Sequence, residues 1–196
     1  MKIAVSLTLL LALLFTEADA QITRPPVYDT CNYLRPLEGE WMSVSGTDTI
    51  KVYLRFHRNF YSDPETYNST IDQLWGWIEY KQGPVVIMSD YANRFATLPY
   101  NLNDLTPGLR SIVLMAGKGG ETIIPASYTG CPNPVTDLRG ALRDIAKCRQ
   151  KKNITVTVNG TGPGAQMIWE LVQPPAVVNP GCEGLTLPEM FVLIKQ

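Results

Sequence analysis

Residues 50–57, IKVYLRFH, decide the fold class of this 196-residue chain. Apolar residues alternate there one by one with polar or amphipathic residues, and this period of two is typical of a half-buried β-strand. A turn signal at Gln82-Gly83-Pro84 predicts a hairpin after a second such strand. Together with 50–57, the predicted strands are 71–81, 85–89, 94–98, 111–116, 122–124, 154–158, 166–171 and 190–194.

One segment, about 136–150, has the three-and-four spacing of a helix. Its apolar positions are Leu138, Ala141, Leu142 and Ile145, and Thr136 or Asp137 precedes them as a candidate N-cap. Strands otherwise predominate, and they do not alternate with helices. We therefore expect a mainly β fold, an antiparallel barrel or sandwich with one packed α-helix.

The composition suits a single globular domain and excludes several classes of partner. Hydrophobic residues make up 45% of the chain and charged residues 18%, which excludes a disordered or fibrous chain. A net charge of −1 with no long basic run argues against nucleic-acid binding.

The first twenty residues have the pattern of a secretory signal. Lys2 precedes an apolar run over residues 3–15, and Ala18 and Ala20 form a small-x-small cleavage site. The run is too short to span a bilayer, and no later segment is long enough. We expect residues 1–20 to be a signal peptide and residues 21–196 to form one secreted β-rich domain, with no membrane attachment after cleavage.

Four cysteines lie in the expected mature chain: Cys31, Cys131, Cys148 and Cys182. An even number in an oxidising compartment predicts two disulfides, and sequence alone leaves three pairings open. We favour Cys31 with Cys182, which would tie down both ends of the chain, and Cys131 with Cys148, which would clamp the expected helix. No C-x-x-C pair indicates a zinc or redox site.

Three sequons predict glycosylation at Asn68, Asn153 and Asn159. A glycan needs an exposed attachment point, so each asparagine marks a surface position if it is modified. Asn159 precedes a glycine-rich turn, which independently predicts that it is exposed.

Catalytic and metal chemistry has little support in the sequence. His57 is the single histidine, and its neighbours Arg55 and Arg58 disfavour its protonation. The chain has no G-x-S-x-G motif, phosphate loop or calcium-loop spacing, and no pattern sets two carboxylates a few ångströms apart. We expect a non-enzymatic protein without a metal site or a cofactor.

The tryptophans are the candidate ligand-binding residues. Trp75 and Trp77 share one face of the strand expected at 71–81, and Trp169 lies on the core-facing side of the strand at 166–171. In a barrel such side chains would line a pocket for an apolar ligand. They would equally suit a packed core, because tryptophans are highly buried on average.

Two short motifs resemble those of the lipocalins. Gly39 and Trp41 fit the G-x-W that opens the first strand of that family after an N-terminal cysteine, here Cys31. The stretch from Ser89 to Tyr91 is similar to the start of the family's T-D-Y-x-x-Y motif, with serine in place of threonine. The resemblance implies an eight-stranded cup around a small apolar ligand, with Trp41 packed at the closed end.

The sequence therefore predicts a secreted, non-enzymatic glycoprotein that binds a small apolar ligand in a β-barrel. The alternative is a structural or interaction component of an extracellular matrix, coat or secretion, with a matrix partner in place of a ligand. The neutral, sequon-bearing, cysteine-containing chain fits both hypotheses.

Overall fold

A computed structural model gives the structure of the protein. It describes residues 29, 32–63, 67–99, 109–116, 137–172 and 181–196, with only the backbone described for 59–63 and 67–70. Two 3₁₀-helices lie in these ranges, Arg35–Leu37 and Tyr91–Phe95. The strands in the same ranges are β1 (Gly39–Ser45), β2 (Asp48–Asp63), β3 (Tyr67–Gln82), β4 (Val85–Ser89), β5 (Ile112–Ala116), β6 (Asp137–Asp144), β7 (Gln150–Asn159), β8 (Gln166–Val172) and β9 (Met190–Lys195).

The strands form a closed antiparallel barrel. Each strand pairs with the next along the chain, except at β4 and β5, which both pair with β3. The last strand, β9, pairs with β1. Eight strands close the barrel, and β4 extends the sheet along the edge of β3. The mainly β prediction is confirmed, and the architecture is the barrel rather than the sandwich.

Most of the predicted strands are present. Those expected at 50–57, 71–81, 111–116, 154–158, 166–171 and 190–194 lie in β2, β3, β5, β7, β8 and β9, and that at 85–89 is β4. The strand expected at 94–98 is wrong, because a 3₁₀-helix covers Tyr91–Phe95. The strand expected at 122–124 lies outside the described residues.

β4 and β5 run in the same direction along one edge of β3. β4 pairs with residues 79–82 and β5 with residues 74–76. Asp90 N–H donates to the carbonyl of Ile78 at 3.0 Å, and Ser111 N–H donates to that of Gly76 at 3.3 Å. The chain thus leaves the edge of β3 after Asp90 and rejoins it at Ser111; we call the described residues 91–99 and 109–110 the excursion.

The helix predicted at about 136–150 is wrong. Residues 137–144 form β6, which pairs with β5 on one side and β7 on the other. Leu138 and Leu142 are four apart, a spacing that fits one face of a strand as well as one face of a helix. A β-carbon at Gly140 would lie 1.8 Å from the carbonyl oxygen of Val113, so the close pairing of β5 and β6 requires glycine there.

A 3₁₀-helix closes one end of the barrel. Leu34 and Leu37 are buried beneath it, and the indole of Trp41 donates to the carbonyl of Leu37 at 2.9 Å. Lys195 Nζ donates to the carbonyl of Pro36 at 2.5 Å and so joins β9 to this helix. We call the opposite end, where the β1–β2, β3–β4 and β6–β7 turns lie, the far end.

The barrel interior is a continuous apolar core. Alternate residues of each strand point into it, as in β7, where Ile154, Val156 and Val158 are buried in the core; Lys152, the next inward residue, is also buried but is polar. The largest inward side chains in the cluster are Trp41 and Trp169. No helix in the described ranges has the length and apolar character needed to cross a bilayer.

Candidate functional site

A cavity of about 370 Å³ opens where β1 and β9 separate. These two strands pair at Trp41 with Lys195 and at Met42 with Ile194, and within the described residues they pair nowhere else. Beyond Met42 the strands diverge towards the far end. We call this opening the seam cavity; its lining residues are Ser43, Ser45, Asp48, Ile50, Tyr80, Pro188, Met190, Phe191 and Val192.

One wall of the seam cavity is polar. Tyr80 Oη donates to Asp48 Oδ2 at 3.0 Å, and Gln82 Nε2 donates to Tyr80 Oη at 2.8 Å. Burial raises the pKa of the Tyr80 phenol above 10.0, the hydrogen bond and charge of Asp48 raise it further, and the hydrogen bond from Gln82 opposes them. Tyr80 therefore remains a hydrogen-bond donor to the Asp48 carboxylate at neutral pH.

The other wall is apolar and continues into the core. Ile50 and Phe191 are buried at the cavity floor. The ring of Phe191 stacks on the indole of Trp169, with a centroid distance of 5.8 Å and an interplanar angle of 24°. Trp169 Nε1 is buried and has no hydrogen-bond acceptor within the described part of the chain. The ring of Phe191 thus separates Trp169 from the cavity.

Residues 181–189, which we call the cap segment, cover the far end between β8 and β9. Leu187 inserts into the core, and Pro188 lines the seam cavity. On its other side the segment borders a second depression of about 480 Å³, lined by Leu171, Val172, Gly184, Leu185, Leu187 and Glu189. The cap segment therefore separates two openings at the same end of the barrel.

A disulfide between Cys148 and Cys182 attaches the cap segment to the β6–β7 turn. The favoured pairings of Cys31 with Cys182 and of Cys131 with Cys148 are therefore wrong. The β6–β7 turn and the cap segment meet at the far end, which brings the two α-carbons within 5.6 Å, a normal distance for a bridge. Cys31 and Cys131 lie outside the described residues.

The structure separates the three candidate tryptophans. Trp169 points into the barrel, whereas Trp75 and Trp77 alternate with the core residues of β3 and so lie on its outer face. Both are nevertheless 0% exposed, because the excursion covers them. Trp77 Nε1 donates to the carbonyl of Leu109 at 2.7 Å, and the guanidinium of Arg110 lies 3.8 Å from the centre of the Trp75 ring.

The same outer layer accounts for His57. Its Nε2 lies 2.9 Å from the carbonyl oxygen of Pro99, and its ring meets that of Trp75 edge to face at 4.5 Å. Burial is the main reason that the pKa of His57 is lowered below 6.5; Arg55 and Arg110 lower it further, and the contact with Pro99 opposes them. These contacts give His57 a structural role under the excursion.

Asp90, in the lipocalin-like motif, has a buried carboxyl group at the start of the excursion. Its Oδ1 accepts the N–H of Ile78 at 2.7 Å. Burial raises the pKa of Asp90 to about 6, although the hydrogen bond from the N–H of Ile78 lowers it. Asp90 thus holds the excursion to β3 and lies outside the seam cavity.

Two of the three sequons are at exposed positions. Asn153 and Asn159 both lie on the outer face of β7 and are exposed, which confirms the exposure predicted for Asn159. The side chain of Asn68 lies outside the described ones. Within the described ranges, no group of three or more His, Cys, Asp or Glu side chains could hold a metal ion.

The sequence did not single out the seam cavity. Asp48 is one of several scattered acidic residues, and Phe191 belongs to a short terminal strand. The sequence contains a weak signal. Asp48 lies on the same strand face as Ile50, and Tyr80 lies on the same strand face as Ile78. A polar group on an otherwise apolar face indicates either a core hydrogen bond or a site.

Comparison with protein-family models, with curated proteins and with solved structures finds no match.

Proposed function

We propose that the chain is a secreted, non-enzymatic binding protein that holds a small, largely apolar ligand in the seam cavity. The cavity itself carries the proposal. Its volume, about 370 Å³, is within the range of small-molecule sites, and it combines an apolar floor with a few polar groups on one wall. Such a site favours a ligand by burying its hydrocarbon part and orienting its polar part.

The predicted signal peptide, the disulfide and the exposed sequons support secretion. A disulfide between Cys148 and Cys182 is compatible with an oxidising compartment, where such bonds persist. Asn153 and Asn159 are accessible to glycosylation on the outer face of β7.

The barrel also supports the proposed relation to the lipocalins. Eight strands close it, and Trp41 of the G-x-W motif packs at the closed end beneath a 3₁₀-helix, as the resemblance implies. We propose from the two motifs and this architecture that the chain is related to the lipocalins.

A fluorescent probe tests the proposal. N-phenyl-1-naphthylamine is uncharged at neutral pH and accepts energy from tryptophan, so binding beside Phe191 should quench Trp169 and increase probe emission saturably. A Trp169→Phe variant assigns the quenching among the four tryptophans of the chain.

A blocking variant locates the binding site. Ser43→Phe fills the seam cavity and should abolish binding, whereas Thr157→Phe, on the outer face of β7, should leave it unchanged. Absence of saturable binding, or equal binding by the Ser43→Phe variant, would contradict the proposal.

A second candidate function, the matrix or coat component, is favoured by an exposed apolar stripe. Val44 of β1 is 62% exposed and Met190 of β9 is 61% exposed; Val192, Ile194 and Val172 lie beside them on the outer face. Exposed apolar side chains clustered on adjacent strands are typical of contact surfaces. Loss of association with insoluble extracellular material in a Val44→Thr/Ile194→Thr variant, which leaves the lining of the seam cavity unchanged, would favour this function, and a chain that stays soluble and monomeric would argue against it.

A further inference from the structure

We infer that the ligand of the seam cavity carries a protonated amine, which the carboxylate of Asp48 binds. The inference rests on the proposed function, because it assigns the ligand class of the same cavity. It follows from which charges the cavity contains and from how the hydrogen bonds around Asp48 are directed.

Among the described residues, the hydrogen-bond partners of Asp48 are neutral. Its Oδ2 accepts the hydroxyl of Tyr80 at 3.0 Å, and its Oδ1 lies 3.5 Å from the hydroxyl of Thr47, longer than an ordinary hydrogen bond between oxygens. Within the described part of the chain, the ion pairs join Arg58 to Asp72 and Lys81 to Glu79, and neither includes Asp48. No basic side chain among the residues that the structure describes therefore neutralises the charge on Asp48.

The hydrogen bond of Tyr80 is fixed in direction. Gln82 donates to the phenol oxygen, and Tyr80 has one hydrogen, which it donates to Asp48. Tyr80 thus orients the carboxylate without supplying a positive charge. Asp48 Oδ1 keeps acceptor capacity for a ligand donor.

The other lining groups complete a site for an organic cation. The hydroxyls of Ser43 and Ser45 add acceptors, and among the described residues no Lys, Arg or His side chain lines the cavity. Ile50 and Phe191 provide an apolar surface for hydrocarbon. An ammonium group with three donors satisfies this arrangement, whereas a ligand carboxylate would meet Asp48 as a like charge.

Three ligands of similar size test the charge requirement: 2-phenylethylamine, 2-phenylethanol and phenylacetate. Isothermal titration of the purified full chain should give the tightest binding for the amine, by about tenfold or more over the alcohol, because a hydrogen bond to a charged group is stronger than a neutral one. Phenylacetate should bind most weakly. This comparison uses the wild-type chain and so does not depend on whether a variant folds.

Matched variants assign the preference to one side chain. Asp48→Asn should remove the preference for the amine, about tenfold or more, while leaving 2-phenylethanol affinity nearly unchanged. Glu170→Gln removes an exposed carboxylate on the outer face of β8 and should change neither affinity.

The two possible failures differ. Equal affinities for amine and alcohol, with probe binding still blocked by Ser43→Phe, would overturn the amine assignment and leave the proposed function standing. Retention of the amine preference by the Asp48→Asn variant would also overturn the assignment. Failure of all ligands and of the fluorescent probe would overturn the proposed function itself.

Discussion

Asp144 accepts two hydrogen bonds from Thr186, one from the backbone N–H at 2.9 Å and one from the side-chain hydroxyl at 2.8 Å. The carboxylate belongs to the end of β6, and Thr186 lies in the middle of the cap segment. Asp144 is almost fully buried, so these bonds are shielded from water. Together with the adjacent disulfide, they hold the cap segment at the far end of the barrel.

We expect Asp144→Ala to lower the free energy of unfolding by about 2–3 kcal/mol, because it leaves the N–H and hydroxyl of Thr186 without their acceptor. Thr186→Val removes the hydroxyl bond alone and should cost about 1 kcal/mol. Urea unfolding followed by fluorescence gives both values. Equal stability of the two variants and the wild type would mean that the cap segment is held by other contacts.

Asp90 should make stability depend on pH in an unusual direction for a carboxyl group. Its pKa in the folded chain, about 6, is above the ordinary value of 3.8, so between these values the folded chain binds more protons than the unfolded chain. Stability from this group is therefore complete at pH below about 4 and is lost as pH rises through about 6. The loss is on the order of 2–3 kcal/mol.

An Asp90→Asn variant isolates this effect. It keeps an acceptor for the N–H of Ile78 but does not ionise, so its stability relative to wild type should increase between pH 4 and pH 7. His57 contributes in the opposite direction, since its lowered pKa costs stability as pH falls through the range below 6.5, and it is common to both chains. A constant difference between variant and wild type across this range would contradict the raised pKa of Asp90.

The strands could be predicted from the sequence because their alternation depends on near neighbours along the chain. In β7 and β8 the buried positions are alternate residues, so the pattern is visible locally. The spacing of apolar residues wrongly predicted a helix at β6, because Leu138 and Leu142, four residues apart, fit one face of a strand as well as one face of a helix. What decided between them was pairing with β5 and β7, which no local pattern contains.

The seam cavity and the outer layer depend on contacts between distant parts of the chain. Trp75 and Trp77 share one face of β3, as the sequence predicts, but that face is the outer one, and the excursion that buries the two tryptophans there has no periodic signal. The disulfide between Cys148 and Cys182 likewise depends on which loops meet at the far end. Four cysteines in a sequence do not contain that information.

Gly140 should be among the least replaceable residues of the barrel. A β-carbon there would lie 1.8 Å from a backbone oxygen of Val113, which cannot move without disturbing the β5–β6 pairing. We expect Gly140→Ala to cost about 3 kcal/mol or more, at the upper end for overpacking. Gly162→Ala is the control, since nothing lies within 4 Å of its added carbon, and its unfolding midpoint should match that of the wild type.

Lys152 should be replaceable by an apolar residue of similar length. It is 0% exposed on the inner face of β7, and the one polar contact of its Nζ in the described chain is with Gln150 Oε1 at 3.5 Å. Because a buried ammonium loses its hydration, Lys152→Met should leave stability unchanged or raise it by about 1–2 kcal/mol. Lys152→Ala, which leaves a void, should instead destabilise the chain. A large loss of stability in the Met variant would show that the ammonium makes an essential interaction.

The disulfide should stabilise both the fold and the seam cavity. It closes a loop with a sequence separation of 34 residues, for which the chain-entropy relation gives about 3–4 kcal/mol of stability. A Cys148→Ala/Cys182→Ala variant should lose about that amount in urea unfolding.

Because the released cap segment includes Pro188 of the cavity wall, the variant should also bind N-phenyl-1-naphthylamine more weakly, with faster dissociation in stopped-flow measurements. Asp144→Ala should weaken probe binding in the same direction, whereas Gly162→Ala, remote from the cap, should not; unchanged dissociation in the double-alanine variant would show that the cap segment does not control access to the cavity.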